Sequence, residues 1–139
     1  MTARDILQAA MDAERDLMLI REQRRHILDM ATSTSVGSEV YVSSSGSSKT
    51  ERAAVKMADL EDDLIRSEQV YEQRVLRARR LIGRLEKKRF REVLTLRYLC
   101  GKSWREITDS MAYQDEKSAF RVHAWALKAA DEILSKKPN

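Results

Sequence analysis

The chain has 139 residues, with 26 Lys and Arg against 22 Asp and Glu, a formal net charge of +4, four glycines, one proline and one cysteine. That length suits one domain or two small ones. So little Gly and Pro leaves too few tight turns for an all-β fold or a Gly-rich nucleotide-binding fold. A lone Cys excludes an internal disulfide and any multi-Cys zinc site. With 35% charged and 42% apolar residues, no apolar run of about 20 and no signal-peptide h-region, the sequence predicts an all-α, cytoplasmic protein.

The first block, residues 3–31, reads as one helix. Ile6, Ala10, Ala13, Leu17, Ile20, Arg24, Ile27 and Ala31 alternate in steps of four and three, the 3.5-residue seam of a coiled coil. Residues 32–50 interrupt it with a Ser- and Gly-rich connector, which holds one short alternating piece, Glu39-Val40-Tyr41-Val42. A second seam follows over 51–87: Ala53, Met57, Leu60, Leu64, Ser67, Tyr71, Arg74, Ala78, Leu81 and Leu85. Two seams of similar length fit an antiparallel hairpin within one chain. They equally fit a coiled-coil homodimer or four-helix assembly, because a lone hairpin buries little apolar area.

Charge is unevenly placed. Residues 1–87 balance at 15 basic and 15 acidic, whereas 88–139 hold 11 basic and 7 acidic, the whole excess. Between Arg74 and Arg91 nine basic residues face only Glu86. The sequence thus divides into a helical arm, 1–87, and a basic head, 88–139.

Three shorter helices are expected in the head. The first, around Phe90, Val93, Leu94, Leu96 and Leu99, ends at Gly101. The second opens on the capping box Ser103-x-x-Glu106, with Trp104, Ile107 and Met111 on one face. After the turn Ala112-Tyr113-Gln114, Asp115 caps the third, whose stripe is Ala119, Val122, Ala126, Ala130 and Ile133. Two helices joined by a short turn and buttressed by a third have helix-turn-helix proportions.

The run L-x-L-R-Y-L-x-G-K-S-W-R-E-I-x-x-x-M from Leu94 to Met111, followed by R-V-H-A-W-A-L from Arg121 to Leu127, resembles region 4 of the sigma-70 family. The layout is similar to that of phage-encoded sigma-region-4-like regulators, the RinA/ArpU type of late-gene activators. The motif match covers about residues 90–134; over 1–87 the likeness is of layout only. Three features depart from the usual pattern: Ala112 stands where Gly is usual in the turn, Asp115 stands where Ser usually caps the recognition helix, and the turn is one residue longer.

The resemblance implies a double-stranded-DNA-binding transcriptional regulator of phage or prophage origin in a bacterial cytoplasm. It would be homodimeric through the arm, with RNA polymerase as a further partner. Base-facing residues would be Glu116, Lys117, Phe120 and Arg121: Arg and Lys donate to guanine, Glu accepts from cytosine, and Phe meets the thymine methyl. Ser103, Trp104 and Arg105 would hold a phosphate, with Trp104 equally readable as core, and Lys88, Arg89 and Arg91 would add phosphate contacts. His123 is expected beside the core, and Cys100 as a small buried residue. His26 has no ligand-spaced partners. No catalytic elbow, P-loop or paired-carboxylate arrangement is present, so neither enzyme activity, cofactor nor small-molecule substrate is expected. Two other classes share these features: a DNA-packaging oligomer like a small terminase subunit, and a protein-only helical adaptor.

Overall fold

The structure, a computed structural model, describes residues 1–37 and 44–136, with side chains described for 1–31 and 51–136. It is all-helical over the described residues: α1 Ala3–Gly37, α2 Ser44–Gly83, α3 Lys88–Leu94, α4 Trp104–Ser110 and α5 Glu116–Ser135. A π-helical turn, Thr95–Leu99, prolongs α3. Both long helices reach into the stretch expected to be a connector, because serine lowers helix propensity only slightly and each helix already has a long apolar seam behind it. The Glu39-Val40-Tyr41-Val42 alternation lies outside the described residues.

Packing divides the chain into two compact units, Met1–Glu14 with Tyr71–Asn139, and Arg15–Val70. This packing division cuts across both long helices. In the larger unit the first turns of α1 (Ala3, Ile6, Leu7, Ala10) and the last of α2 (Ala78, Leu81, Ile82) share one buried cluster with Leu85, Phe90, Val93, Leu94, Tyr98, Ile107 and the α5 stripe. Burying each Leu, Ile, Val or Phe there contributes about 1.5–3 kcal/mol. Ala119, Ala126 and Ala130 are completely buried, so α5 approaches its neighbours closely. At the start of α1, Thr2 and Asp5 cap each other reciprocally, and Asp131 of α5 accepts from the Ala3 N–H at 2.7 Å.

The smaller unit is an antiparallel pair within the chain. Arg21 bridges to Glu68 (3.6 Å) and Arg24 to Glu61 (3.7 Å), so advancing along α1 means retreating along α2. Arg24, the polar position of the first seam, thus faces a carboxylate across the pair. Leu17 is buried, while Ile20, Ile27, Met57, Leu60 and Leu64 are half-buried. Two helices cover only one side of each other, which leaves a half-dry seam.

Candidate nucleic-acid interface

The turn between α4 and α5 is built by local chemistry. Ser103 and Glu106 complete the capping box in both directions at 3.2 Å. At the other end of α4 the Tyr113 N–H donates to the Thr108 carbonyl (3.0 Å) and the Ala112 N–H to that of Asp109 (3.2 Å), the Schellman arrangement. It requires a left-handed residue after the helix, and Ala112 takes that role at φ 57°. The missing glycine thus changes the cost of the turn and leaves its type intact. Asp115 then caps α5, accepting from the Ser118 amide and hydroxyl, each at 2.9 Å. Those bonds hold its carboxyl below the usual range.

Aromatic contacts orient α5. His123, 7% exposed, meets the Tyr98 hydroxyl through Nε2 at 2.7 Å, and the Trp104 ring packs edge-on against both His123 and Phe120, at 4.8 Å each. The Arg97 guanidinium covers the Trp104 ring at 4.9 Å and donates to the Lys102 carbonyl. Burial, then the charges of Arg4 and Arg97, push the His123 pKa down to about 4. Burial pushes the Tyr98 hydroxyl pKa up, against the nearby charges of Arg4 and Arg97.

On α5, Glu116, Lys117 and Arg121 are exposed, and Phe120 is 43% exposed despite its contact with Trp104. Phe120 therefore has a fixed ring edge and a solvent-facing remainder. Lys117, Arg121, Ala124 and Lys128 follow one another at i, i+4, i+7 and i+11, all exposed and directly opposite the Ala119–Val122–Ala126–Ala130 stripe. Lys128, beyond the sequence-derived set, extends this line by two turns, and Ala124 leaves the surface between them low. The same 3.6-residue count that located the core stripe, read on its other side, identifies both.

The expected phosphate contacts separate into two kinds. Ser103 spends its amide and hydroxyl on Glu106, whose carboxylate, held below its usual pKa chiefly by the Ser103 amide, disfavours an anion at that helix end. Trp104 is half-buried in the aromatic cluster. Arg105 alone of these three presents an exposed cation. Arg91 turns inward: its Nη1 donates to the carbonyls of Leu85 (2.6 Å) and Glu86 (2.8 Å), tying α3 to the end of α2. Lys88 is exposed and bridges to Glu92 at 3.7 Å, and Arg89 lies over the rings of Phe90 and Trp125. Cys100 is exposed, against its expected burial, because the π-helical turn ends there and Gly101 (φ 64°) reverses the chain.

No family model, curated protein or solved structure matches this chain. Among the described residues, no group of His, Cys, Asp or Glu is arranged to hold a metal ion, and no helix is long and apolar enough to cross a membrane. A groove of about 490 Å³ between α3 and the end of α4 is lined by Lys88, Arg91, Glu92, Thr95, Leu96, Ser110 and Met111.

Proposed function

We propose that this chain is a sequence-specific double-stranded-DNA-binding regulator of transcription, of the phage or prophage late-gene activator kind, acting in a bacterial cytoplasm. What supports this is the solvent face of α5. Lys117 and Arg121, with Glu116 and Phe120 at their side, occupy the first turns of a helix capped by Asp115 and keyed to α4 by Trp104. A 20-residue helix with one continuous exposed face is the element that enters a major groove. Arg121 and Lys117 donate to guanine edges, Glu116 accepts from cytosine, and Phe120 covers a thymine methyl. Lys88, Arg89 and Arg105 neutralise phosphates.

The half-dry seam of α1 and α2 gives a second copy of the chain a surface to complete, and a homodimer would present two α5 helices to successive half-sites. RNA polymerase enters as a further partner only through the sigma-like resemblance. In vitro site selection from a random duplex pool tests the reading. Enrichment of one motif, lost on mutation of α5, is expected; a pool that never departs from random would sink it. A ring of eight or more subunits in solution would instead favour a packaging role.

A further inference from the structure

Helix α2 is charged unevenly along its length. From Asp59 to Glu72 it carries six acidic residues and one basic, whereas from Gln73 to its end at Gly83 it carries Arg74, Arg77, Arg79 and Arg80 and no acid, with Arg84 following directly. Charge therefore follows the packing units: the larger holds 18 basic and 12 acidic residues, net +6, and the smaller 8 and 10, net −2. Among the described residues, four of the six arginines of the hairpin unit are answered by carboxylates: Arg21–Glu68, Arg24–Glu61, Arg25–Glu22 and Arg66–Asp63. Arg77, Arg80 and Arg84 are exposed and form no salt bridge among the described residues.

Their i, i+3, i+7 spacing places all three on one exposed stripe of the helical path, along the edge of the buried face of Ala78, Leu81 and Leu85. Like charges at i+3 and i+4 repel and weaken a helix. The helix dipole favours cations in the last turn only, which leaves Arg77 without that compensation. The cationic surface also continues past the end of α2. Lys87 lies over the Phe90 ring at 5.2 Å, and Arg89 lies over Phe90 at 5.4 Å and over the 45%-exposed Trp125 of α5 at 5.6 Å. Basic side chains thus run from α2 through the α2–α3 turn to the flank of the helix proposed to read bases.

We propose that the Arg77–Arg80–Arg84 stripe is a second phosphate-binding surface, which takes the sugar-phosphate backbone of duplex DNA outside the base-read site. Seven residues of helix rise about 10 Å. One DNA strand presents a phosphate about every 3.4 Å along the axis, so three guanidiniums match about three phosphates. The inference rests on the DNA-binding reading above and extends its footprint.

The test compares wild type with R77A/R80A/R84A on two duplexes carrying the selected motif, one trimmed to the motif and one with roughly one helical turn of flank on each side. Arg74, which donates to the Ala9 carbonyl, is left in place. On the flanked duplex the slope of log affinity against log salt should fall by about 2–3 in the variant, at about 0.9 per lost phosphate contact. On the trimmed duplex the two proteins should bind alike, and the melting temperature of the variant should match or exceed that of wild type. R77K/R80K/R84K should retain most of the slope, since a point charge still neutralises a phosphate. Equal slopes for wild type and the alanine variant on the flanked duplex would overturn the proposal. So would a lysine variant as impaired as the alanine one, or a loss confined to vesicles of anionic phospholipid. Wild type that binds no duplex at all would instead overturn the DNA-binding reading itself.

Discussion

The Tyr98 hydroxyl and the His123 Nε2 lie 2.7 Å apart in the core, and their bond joins the π-helical turn after α3 to the middle of α5. A recognition helix is useful only if its exposed face is held at a fixed angle. This bond, with the Trp104 ring packed edge-on against His123 and Phe120, supplies three attachments within five residues of α5.

Burial of His123, beside the charges of Arg4 and Arg97, makes stability depend on acid. Folded His123 stays neutral down to a pKa of about 4, whereas in the unfolded chain it titrates near its ordinary 6.5. Above pH 6.5 both states are neutral and the group adds no pH dependence. Between 6.5 and 4 the unfolded chain binds the extra proton, so stability falls as pH falls, on the order of 3 kcal/mol in all. Urea unfolding at intervals from pH 7.5 to 4.5 should show that decline, and His123→Gln should flatten it. An equally steep decline in the variant would place the titrating group elsewhere.

Ala112 sits at φ 57°, where a Cβ costs about 1–2 kcal/mol that glycine avoids. Glycine gives back about 0.4–1 kcal/mol by loosening the unfolded chain. Ala112→Gly should therefore stabilise the protein by about 0.5–1 kcal/mol, with a matching rise in denaturation midpoint. Ala112→Val should do the reverse, because a β-branched side chain fits that region worst. A glycine variant less stable than wild type would contradict the strained-turn account.

Lys88 and Arg91, three residues apart, should behave oppositely. Arg91 bonds two backbone carbonyls at the end of α2, so Arg91→Ala should cost about 1–3 kcal/mol of folding stability. Lys88→Ala should leave stability within about 0.5 kcal/mol and lower affinity for every duplex alike, with a shallower salt dependence. Thermal melts and salt titrations of the two variants separate the roles.

Arg121→Ala should weaken binding to the selected motif by about 1–3 kcal/mol and relax base preference at one position, with little change in stability because the side chain is exposed. Repeating site selection with the variant checks it: the same motif at the same strength would remove Arg121 from the base-reading set.

Asp115 caps α5 through the Ser118 amide, and its lowered pKa gives the sign. The carboxylate supports the folded state above its ordinary pKa of 3.8, and that support is lost as pH falls through the lower folded value. Asp115→Ala should lower the melting temperature and fray the first turn of α5 in amide exchange, while Asp115→Asn, which still offers an acceptor, should recover most of both. Equal losses in the two variants would mean that the cap is not the source.

The elements legible in the sequence were those set by neighbours within four residues. The Ser103–Glu106 box, the Asp115 cap, the stop at Gly101 and the buried face Ala119–Val122–Ala126–Ala130 follow from local hydrogen bonding and a 3.6-residue period. Leu96 and Leu99, expected on the apolar face with Phe90, are only partly buried, whereas Tyr98, which continues the Phe90–Leu94 line at i+4, is in the core. Arg91, Ser103 and Arg89 are alike in sequence terms, polar residues near helix ends. Only spatial neighbours turn the first inward, commit the second to Glu106 and set the third on Trp125.

What the sequence alone determined is the helical content, the caps and the amphipathic faces, because each depends on contacts a few residues apart. The tertiary structure decided how those faces combine. It drew the first turns of α1 and the last turns of α2 into one core with α3–α5, so that the two packing units meet the chain at points within the long helices. A 3.5-residue seam states that a face must be buried and leaves its partner open. Only the packed chain settles whether Ile6 and Leu7 lie against another long helix alone or within the core of the head. That choice also turns a chain-wide charge of +4 into a unit of net +6 bearing the exposed face of α5.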